Sequence, residues 1–272
     1  MYVYSAALYN DGSAAPSVTL APMDGILLQR TQPVAAPASR VNGVTDAASY
    51  GAATAAGEWV SIFGTGFSTA SQMWTAADFV NGQLPTSLGG VSVAIDGQPA
   101  YISYESPGQI NALMPADATI GPVTVQVTTP QGQSYPGTVM LQRLAPELFT
   151  WTQGSVTYAA AEHANGALVG PASSSQPAAA GEVIELYGTG FGPTSPQIPV
   201  SQAVFPPAIL AAPVGVTIGG VAAQVKWAGL IGPGLYQINV QVPSVTAGDQ
   251  AVMMSIAGFQ SAAGVYVTVG AN

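Results

Sequence analysis

The sequence predicts an all-β protein made of two tandem β-sandwiches behind an N-terminal arm of short strands. Three observations carry that expectation. First, an eleven-residue segment, GEWVSIFGTGF at 57–67, recurs as GEVIELYGTGF at 181–191. Second, short runs of alternating aliphatic residues follow each copy in the same order, and no stretch spaces its apolar residues at the helical period. Third, the 272 residues include 32 Gly and 22 Pro, with 48% hydrophobic and 6% charged residues. Such a composition suits strands joined by tight turns and is opposite to that of a disordered chain. The length fits two domains of ordinary size.

The arm comes first. Tyr2–Leu8 reads as a strand, Asn10-Asp11-Gly12 as a turn, Val18–Leu20 and Gly25–Arg30 as two more strands, and Pro33–Ser39 as an extended linker. Three short strands are too few for a core of their own. The arm is therefore expected to dock on its own sandwiches, on the sheet edge of a neighbouring copy, or to be the tail of a preceding domain in a longer chain. Met1–Ser5 lacks the basic head and apolar stretch of a signal peptide, so an exported form is expected to be a mature or partial product.

The repeat then sets the core. Val60 and Ile62 correspond to Ile184 and Leu186 at period two and are assigned inward. Trp59, Ser61 and Phe63 correspond to Val183, Glu185 and Tyr187 on the opposite face, which tolerates Ser and Glu. Gly64-Thr65-Gly66-Phe67 and Gly188-Thr189-Gly190-Phe191 lack the Lys-Ser/Thr and the helix of a phosphate loop. Gly64, Gly66, Gly188 and Gly190 are read instead as structural turn residues that permit positive φ or a bulge, each turn closed by Phe67 or Phe191. Residues 70–83 form an insertion with room for one helical turn, and 192–212 a Pro-rich counterpart. Val91, Val93 and Ile95 run into Asp96-Gly97, and Val214, Val216 and Ile218 into Gly219-Gly220, both as hairpins. Return strands follow at Tyr101–Tyr104 and Gln224–Trp227. Gln109-Ile110-Asn111 recurs as Gln237-Ile238-Asn239, and each copy adds strands near 123–127 and 136–143, or 252–256 and 264–269. Two sandwiches of immunoglobulin-like type account for this order. The expected limits are 1–40 for the arm and linker, 41–147 for the first sandwich and 148–272 for the second. At the short apolar join, Leu148, Phe149 and Trp151 are expected to wedge between the domains and make a stiff pair.

Chemistry is sparse. The net charge is −9, and the four cations, Arg30, Arg40, Arg143 and Lys226, are scattered. Nucleic acid is excluded as a partner on that ground, and anionic membrane surfaces are disfavoured for the same reason. No apolar run reaches membrane-spanning length. There is no Cys, which excludes disulfides, thiolate zinc and cysteine nucleophiles. The single histidine, His163, is read as a turn residue with a structural or solvent-facing role, and no GxSxG elbow accompanies it. Glu182 and Glu185 fall on opposite faces of a strand and cannot act as an acid pair. Glu58 and Glu182 begin the same strand in both copies, and recurrence points to structure rather than to one active site. No acidic cluster suits calcium, and the only lysine, Lys226, has no counterpart in the first copy for an isopeptide crosslink. No cofactor is expected and the chain reads as non-enzymatic. Trp74, in the first insertion, is the candidate glycan contact, against core packing as its alternative.

The segments VTDAASY (44–50), GEWVSIFGTGF (57–67), LPTSLGGVSV (84–93), SPGQINALMP (106–115), PELFT (146–150), GEVIELYGTGFGP (181–193) and GPGLYQINVQVP (232–243) together resemble an uncharacterised C-terminal domain family first described in Solibacter. Each half is similar to IPT/TIG domains. The resemblance spans about 41–272 and implies the immunoglobulin-like fold and export to the cell surface or exterior, but no chemistry. Residues 21–30 weakly resemble terminal strands of some secreted glycoside hydrolases.

Two functions follow as expectations. One is a structural or adhesive extracellular module, joined to copies of itself or to another extracellular protein through its arm, as in a filament or surface layer. The other is a non-catalytic appendage of a larger secreted glycoside hydrolase, with polysaccharide as partner.

Overall fold

The computed structural model describes residues 38–271 except 118, 174 and 204. The strands read in 1–37 lie outside the described residues. The described chain is all-β, as its periodicity predicts. The first half carries β1 (Arg40–Asp46), β2 (Ala53–Ala55), β3 (Trp59–Thr65), β4 (Gln72–Met73), β5 (Ser87–Leu88), β6 (Val91–Ile95), β7 (Gln98–Pro99), β8 (Tyr101–Glu105), β9 (Gln109–Leu113), β10 (Gly121–Thr129), β11 (Gly132–Gln133) and β12 (Gly137–Gln142). The second half carries β13 (Glu147–Leu148), β14 (Thr150–Gln153), β15 (Val156–Ala159), β16 (Ala161–His163), β17 (Val183–Thr189), β18 (Ala208–Ile209), β19 (Val214–Ile218), β20 (Val221–Gly232), β21 (Leu235–Gln241), β22 (Gly248–Ile256), β23 (Phe259–Gln260) and β24 (Val265–Val269).

In the first half, the sheet β1-β3-β9-β8-β4 packs on the sheet β2-β12-β10-β6-β5. Val60, Ile62, Ile110, Val93, Ile95 and Val125 from both layers meet in one buried cluster. In the second half the order is β13-β17-β21-β20-β19-β22-β24-β15-β14, and Ile184, Leu186, Ile238, Val216, Val252 and Val267 share a second cluster. The inward set chosen from the repeat is fully buried: Val60, Ile62, Ile184 and Leu186 each have 0% exposure. Burying such side chains contributes about 1.5–3 kcal/mol each, so the alternation itself drives the layers together.

The copies differ at one corner. β20 is continuous, pairing with β19 through Val221–Ala223 and with β21 from Gln224 onward, so one strand joins both layers. In the first copy the equivalent run breaks at Pro99-Ala100 into β7 and β8. Proline has no amide hydrogen to extend a ladder, and Ala222, at the matching place, does. Both hairpins turn through two left-handed residues, Asp96 and Gly97 at φ 49 and 75, and Gly219 and Gly220 at φ 59 and 77. That is the twist a two-residue hairpin requires. The helical turn foreseen in the first insertion is a single 3-10 turn, Ala76–Asp78.

The GTGF turns show why glycine is needed. A methyl at Gly64 would clash with the Arg40 carbonyl and the Phe67 ring, and one at Gly188 with the Glu147 carbonyl and the Phe191 ring. Gly66 and Gly190 have φ of 69 and 78. The chain thus doubles back and drops a phenyl ring over its own strand. Phe67 and Phe191 are buried to 0% and 1% exposure.

Candidate functional site

The two sandwiches meet through side chains that the first copy presents outward. Trp59 alternates with inward Val60, so its indole leaves the first core and enters the joint. Its indole N–H donates to the Pro233 carbonyl at 2.7 Å, and its backbone N–H to Thr189 Oγ1 at 3.3 Å. Gly234, at φ 62, lies against Trp59 and Leu113, where a side chain would come within 2.9 Å of the indole nitrogen. Leu113, on the same outward face, is consequently 0% exposed. The backbone at the end of the first insertion also bonds to the second insertion: Leu84 N–H, just past it, donates to Ser201 O at 2.8 Å and Ala203 N–H to Gly82 O at 2.9 Å. Thr150 Oγ1 donates to Ala48 O at 3.2 Å. A cleft of about 460 Å³ opens beside the joint, lined by Gly57, Arg143, Thr194, Gln197, Ile198 and Tyr236 among others.

The expected wedge is therefore corrected. Leu148, 1% exposed, belongs to the second core. Trp151 stacks on Tyr158 of its own hairpin at 5.0 Å between ring centroids, and its N–H donates to Ala159 O at 3.2 Å. Phe149 is half-buried, its backbone N–H donating to Tyr187 O. Residues 147–148 and 150–153 form β13 and β14 of the second sandwich, so the apolar run is used by strands of that domain. The wedge is Trp59 with Leu113.

Glu58 and Glu182 perform one local task. Each folds back so that Oε2 accepts the backbone N–H three residues earlier, from Ala55 at 2.6 Å and from Ala179 at 2.8 Å. Their surroundings differ. Glu182 is half-exposed and its Oε1 meets His163 Nδ1 at 2.5 Å. Glu58 is 0% exposed, lies against Gly190 of the second sandwich, and its Oε1 has no hydrogen-bond partner. Burial pushes its carboxyl well above the ordinary range, the Ala55 bond opposes this, and the charges of Asp46 and Glu147 add to it. Glu147, nearby, is pushed up to about 7, again chiefly by burial. Burial and the Glu58 charge raise the Tyr236 phenol, whose O–H donates to Gly192 O at 2.6 Å.

His163 ends β16 and is 7% exposed, so it faces the interior and not solvent. Its Nε2 meets the Gln176 carbonyl at 3.0 Å. Burial alone would lower its pKa, but the Glu182 bond, the Gln176 carbonyl and the Glu182 charge raise it overall. Both ring nitrogens are engaged, so neither can take a proton from a substrate. Among the described residues no three of His, Asp and Glu come together to hold a metal ion, and no helix is long and apolar enough to cross a membrane.

Trp74 sits in an aromatic cluster, 5.5 Å edge-on from Trp59 and 5.2 Å from Phe79, and is half-buried against the first core. Its contacts are thus largely with the protein.

A second surface emerges from strand register. On the outer face of the second sandwich, Trp227 lies opposite Asn239, and Tyr187 opposite Gln237. On the first, Tyr104 lies opposite Asn111, and Phe63 opposite Gln109. In each copy the glutamine Nε2 donates to the asparagine Oδ1 at 2.8 Å. The sequence carried a signal for this: the Gln-Ile-Asn triplet repeats although only its Ile is needed by the core.

No family model matches the chain. No curated protein matches it either. Among solved structures it is similar to a surface glycan-binding protein from Prevotella bryantii, with 10% identity and a TM-score of 0.26 over 84% of this chain and 41% of that one. It is similar to a γ-cyclodextrin glucanotransferase from an alkalophilic Bacillus clarkii at 12% identity and TM-score 0.28, over 87% of this chain and 26% of that one. A third is the D00-D0 region of intimin, at 13% identity and TM-score 0.21 over 84% and 99%. The chain spans less than half the length of the first two. Likenesses this slight carry no argument about function.

Proposed function

We propose that this chain is a non-enzymatic structural and adhesive module of the cell surface or exterior. Its two sandwiches act as one stiff unit, and residues 1–36 are an arm that joins copies by adding strands to a neighbour's sheet. The observation that carries this reading is the joint. Trp59 bonds to both Pro233 and Thr189, and the insertions pair backbone to backbone, so the sandwiches are fused and not tethered. With only 6% of the chain charged, the surface offers little repulsion between neighbours, which favours packing against copies or a polymer. The resemblance to the Solibacter-type family supports export.

The test is light scattering coupled to size exclusion, on the full chain and on a form lacking residues 1–36. Deletion should stop there, because the Ser39 carbonyl accepts the Tyr135 N–H within the first sandwich at 2.9 Å. The full chain is expected to form oligomers that fall to monomers on deletion, with an unchanged melting temperature. A monomeric full chain, or an oligomer that survives deletion, overturns the arm's role.

A second reading, a glycan-binding appendage of a larger secreted hydrolase, is favoured by the repeated aromatic and amide positions on the outer sheet faces.

A further inference from the structure

We propose that the outer sheet face of the second sandwich, built on Trp227, Asn239, Gln237 and Tyr187, is a contact site for a neutral polysaccharide. The inference rests on the reading of the chain as a surface binding module and names the ligand class and the residues.

Recurrence is the first argument. Aromatic, Asn, Gln and aromatic occupy the same four register positions on both outer faces, as Tyr104, Asn111, Gln109 and Phe63 and as Trp227, Asn239, Gln237 and Tyr187. Core packing dictates only the inward residues of a strand, so a shared outward pattern needs another cause.

Geometry is the second. A side chain at Gly229 would come within 2.6 Å of Trp227 Cζ2 and 2.7 Å of Cη2, so the indole leans over a position that glycine keeps clear. A sheet-laid indole offers a flat apolar plane of the kind that meets the C–H face of a sugar ring. Beside it, Gln237 Nε2 donates to Asn239 Oδ1, which locks the two amides in line. Asn239 Nδ2 and Gln237 Oε1 then remain as one donor and one acceptor without protein partners among the described residues, which suits adjacent hydroxyls.

Charge and accessibility select the occupant. Tyr187 O–H donates to Glu185 Oε2 at 3.0 Å and to Glu162 Oε2 at 3.2 Å. Two carboxylates on this face disfavour a uronate or sulfated chain. In the first sandwich the neighbouring outward pair, Trp59 and Leu113, is covered by Pro233 and Gly234. The matching pair in the second, Val183 and Gln241, is half-exposed, and a polar Gln replaces the apolar plug. A second sandwich docking as in the internal joint would lose that apolar contact, whereas a hydroxyl-rich chain would not.

The test is affinity electrophoresis of the full chain in native gels containing mixed-linkage β-glucan, xyloglucan, galactomannan or soluble starch, with polygalacturonate as the anionic comparison. Retardation is expected in at least one neutral gel and not in polygalacturonate. Trp227→Ala should weaken it at least tenfold and Asn239→Ala several-fold, while Trp227→Phe should retain most of it. Melting curves establish that the variants fold, and Asn239→Ala serves alone if Trp227→Ala does not. No retardation in any neutral gel, retardation unchanged by these substitutions, or preference for polygalacturonate overturns the proposal. So does a Trp227→Ala variant that loses self-association and not glycan retardation, since that makes the face a contact between copies. The structural-module reading survives each glycan failure, because it stands or falls on light scattering.

Discussion

Glu58 and Glu182 hold the same backbone turn in two environments, and the difference is what one residue can be asked to report. Glu182, half-exposed, shares its charge with the buried His163. Glu58 is enclosed by the second sandwich with one oxygen unpartnered. A buried lone carboxylate is costly, so Glu58 holds its proton to higher pH in the folded chain than in the unfolded one. Below about pH 4.5 both folded and unfolded chains are protonated there. Above it the unfolded chain ionises while the folded one does not, so this group lowers stability as pH rises towards its folded pKa. Gln is a neutral isostere that can still accept the Ala55 N–H. Glu58→Gln should therefore melt like the parent near pH 4.5 and several degrees higher at pH 8, measured by thermal unfolding followed by circular dichroism. A lower melting point at pH 8 would mean that the joint holds an ionised carboxylate. The repeat alone marked both glutamates as structural. It could not separate them, because burial of Glu58 comes from a domain more than 100 positions away in sequence.

At the scale of elements, the GTGF turn fixes where each strand ends and which ring fills the core behind it. Gly188→Ala puts a methyl into the Glu147 carbonyl and the Phe191 ring. It should cost roughly 2 kcal/mol or more, read as a fall of about 4–8 °C in melting temperature. A shift under 1 °C would show that the strand yields without cost. The strands and turns were legible because alternation at period two and paired left-handed residues are local signals: Val60, Ile62, Ile184 and Leu186 were placed inward from spacing alone. The joint was not legible in the same way. Trp59 occupies an outward position, and nothing within β3 says what covers it. The hint lay in comparing copies, since Trp59 and Leu113 give way to Val183 and Gln241. An apolar pair retained in only one repeat marks a contact that only one repeat makes. The apolar run at 148–151 misled because short apolar joins and short strands share a composition, and here β13 and β14 claimed it.

The whole molecule sums these groups into a stability that should rise on mild acidification. His163 has a raised folded pKa, so its contribution is complete below the unfolded value of 6.5 and fades as pH rises through the folded one. Glu147, at about 7 when folded against 4.5 for its free value, binds a proton that the unfolded chain has lost across that interval. After a discount for its partial exposure, the loss by pH 8 is on the order of 2–3 kcal/mol. Glu58 acts in the same direction. A net charge of −9 adds self-repulsion that also grows as carboxyls ionise. Added salt separates the two causes, because it screens repulsion between exposed charges and leaves the desolvation of Glu58 and Glu147 nearly untouched. The melting temperature is expected to fall by several degrees from pH 5 to pH 8 and to keep most of that fall in 0.5 M NaCl. The Glu58→Gln, Glu147→Gln double variant should flatten the profile in either salt. A profile that salt alone flattens, or one that rises with pH, would place the pH response on the surface and leave the joint without a part in it.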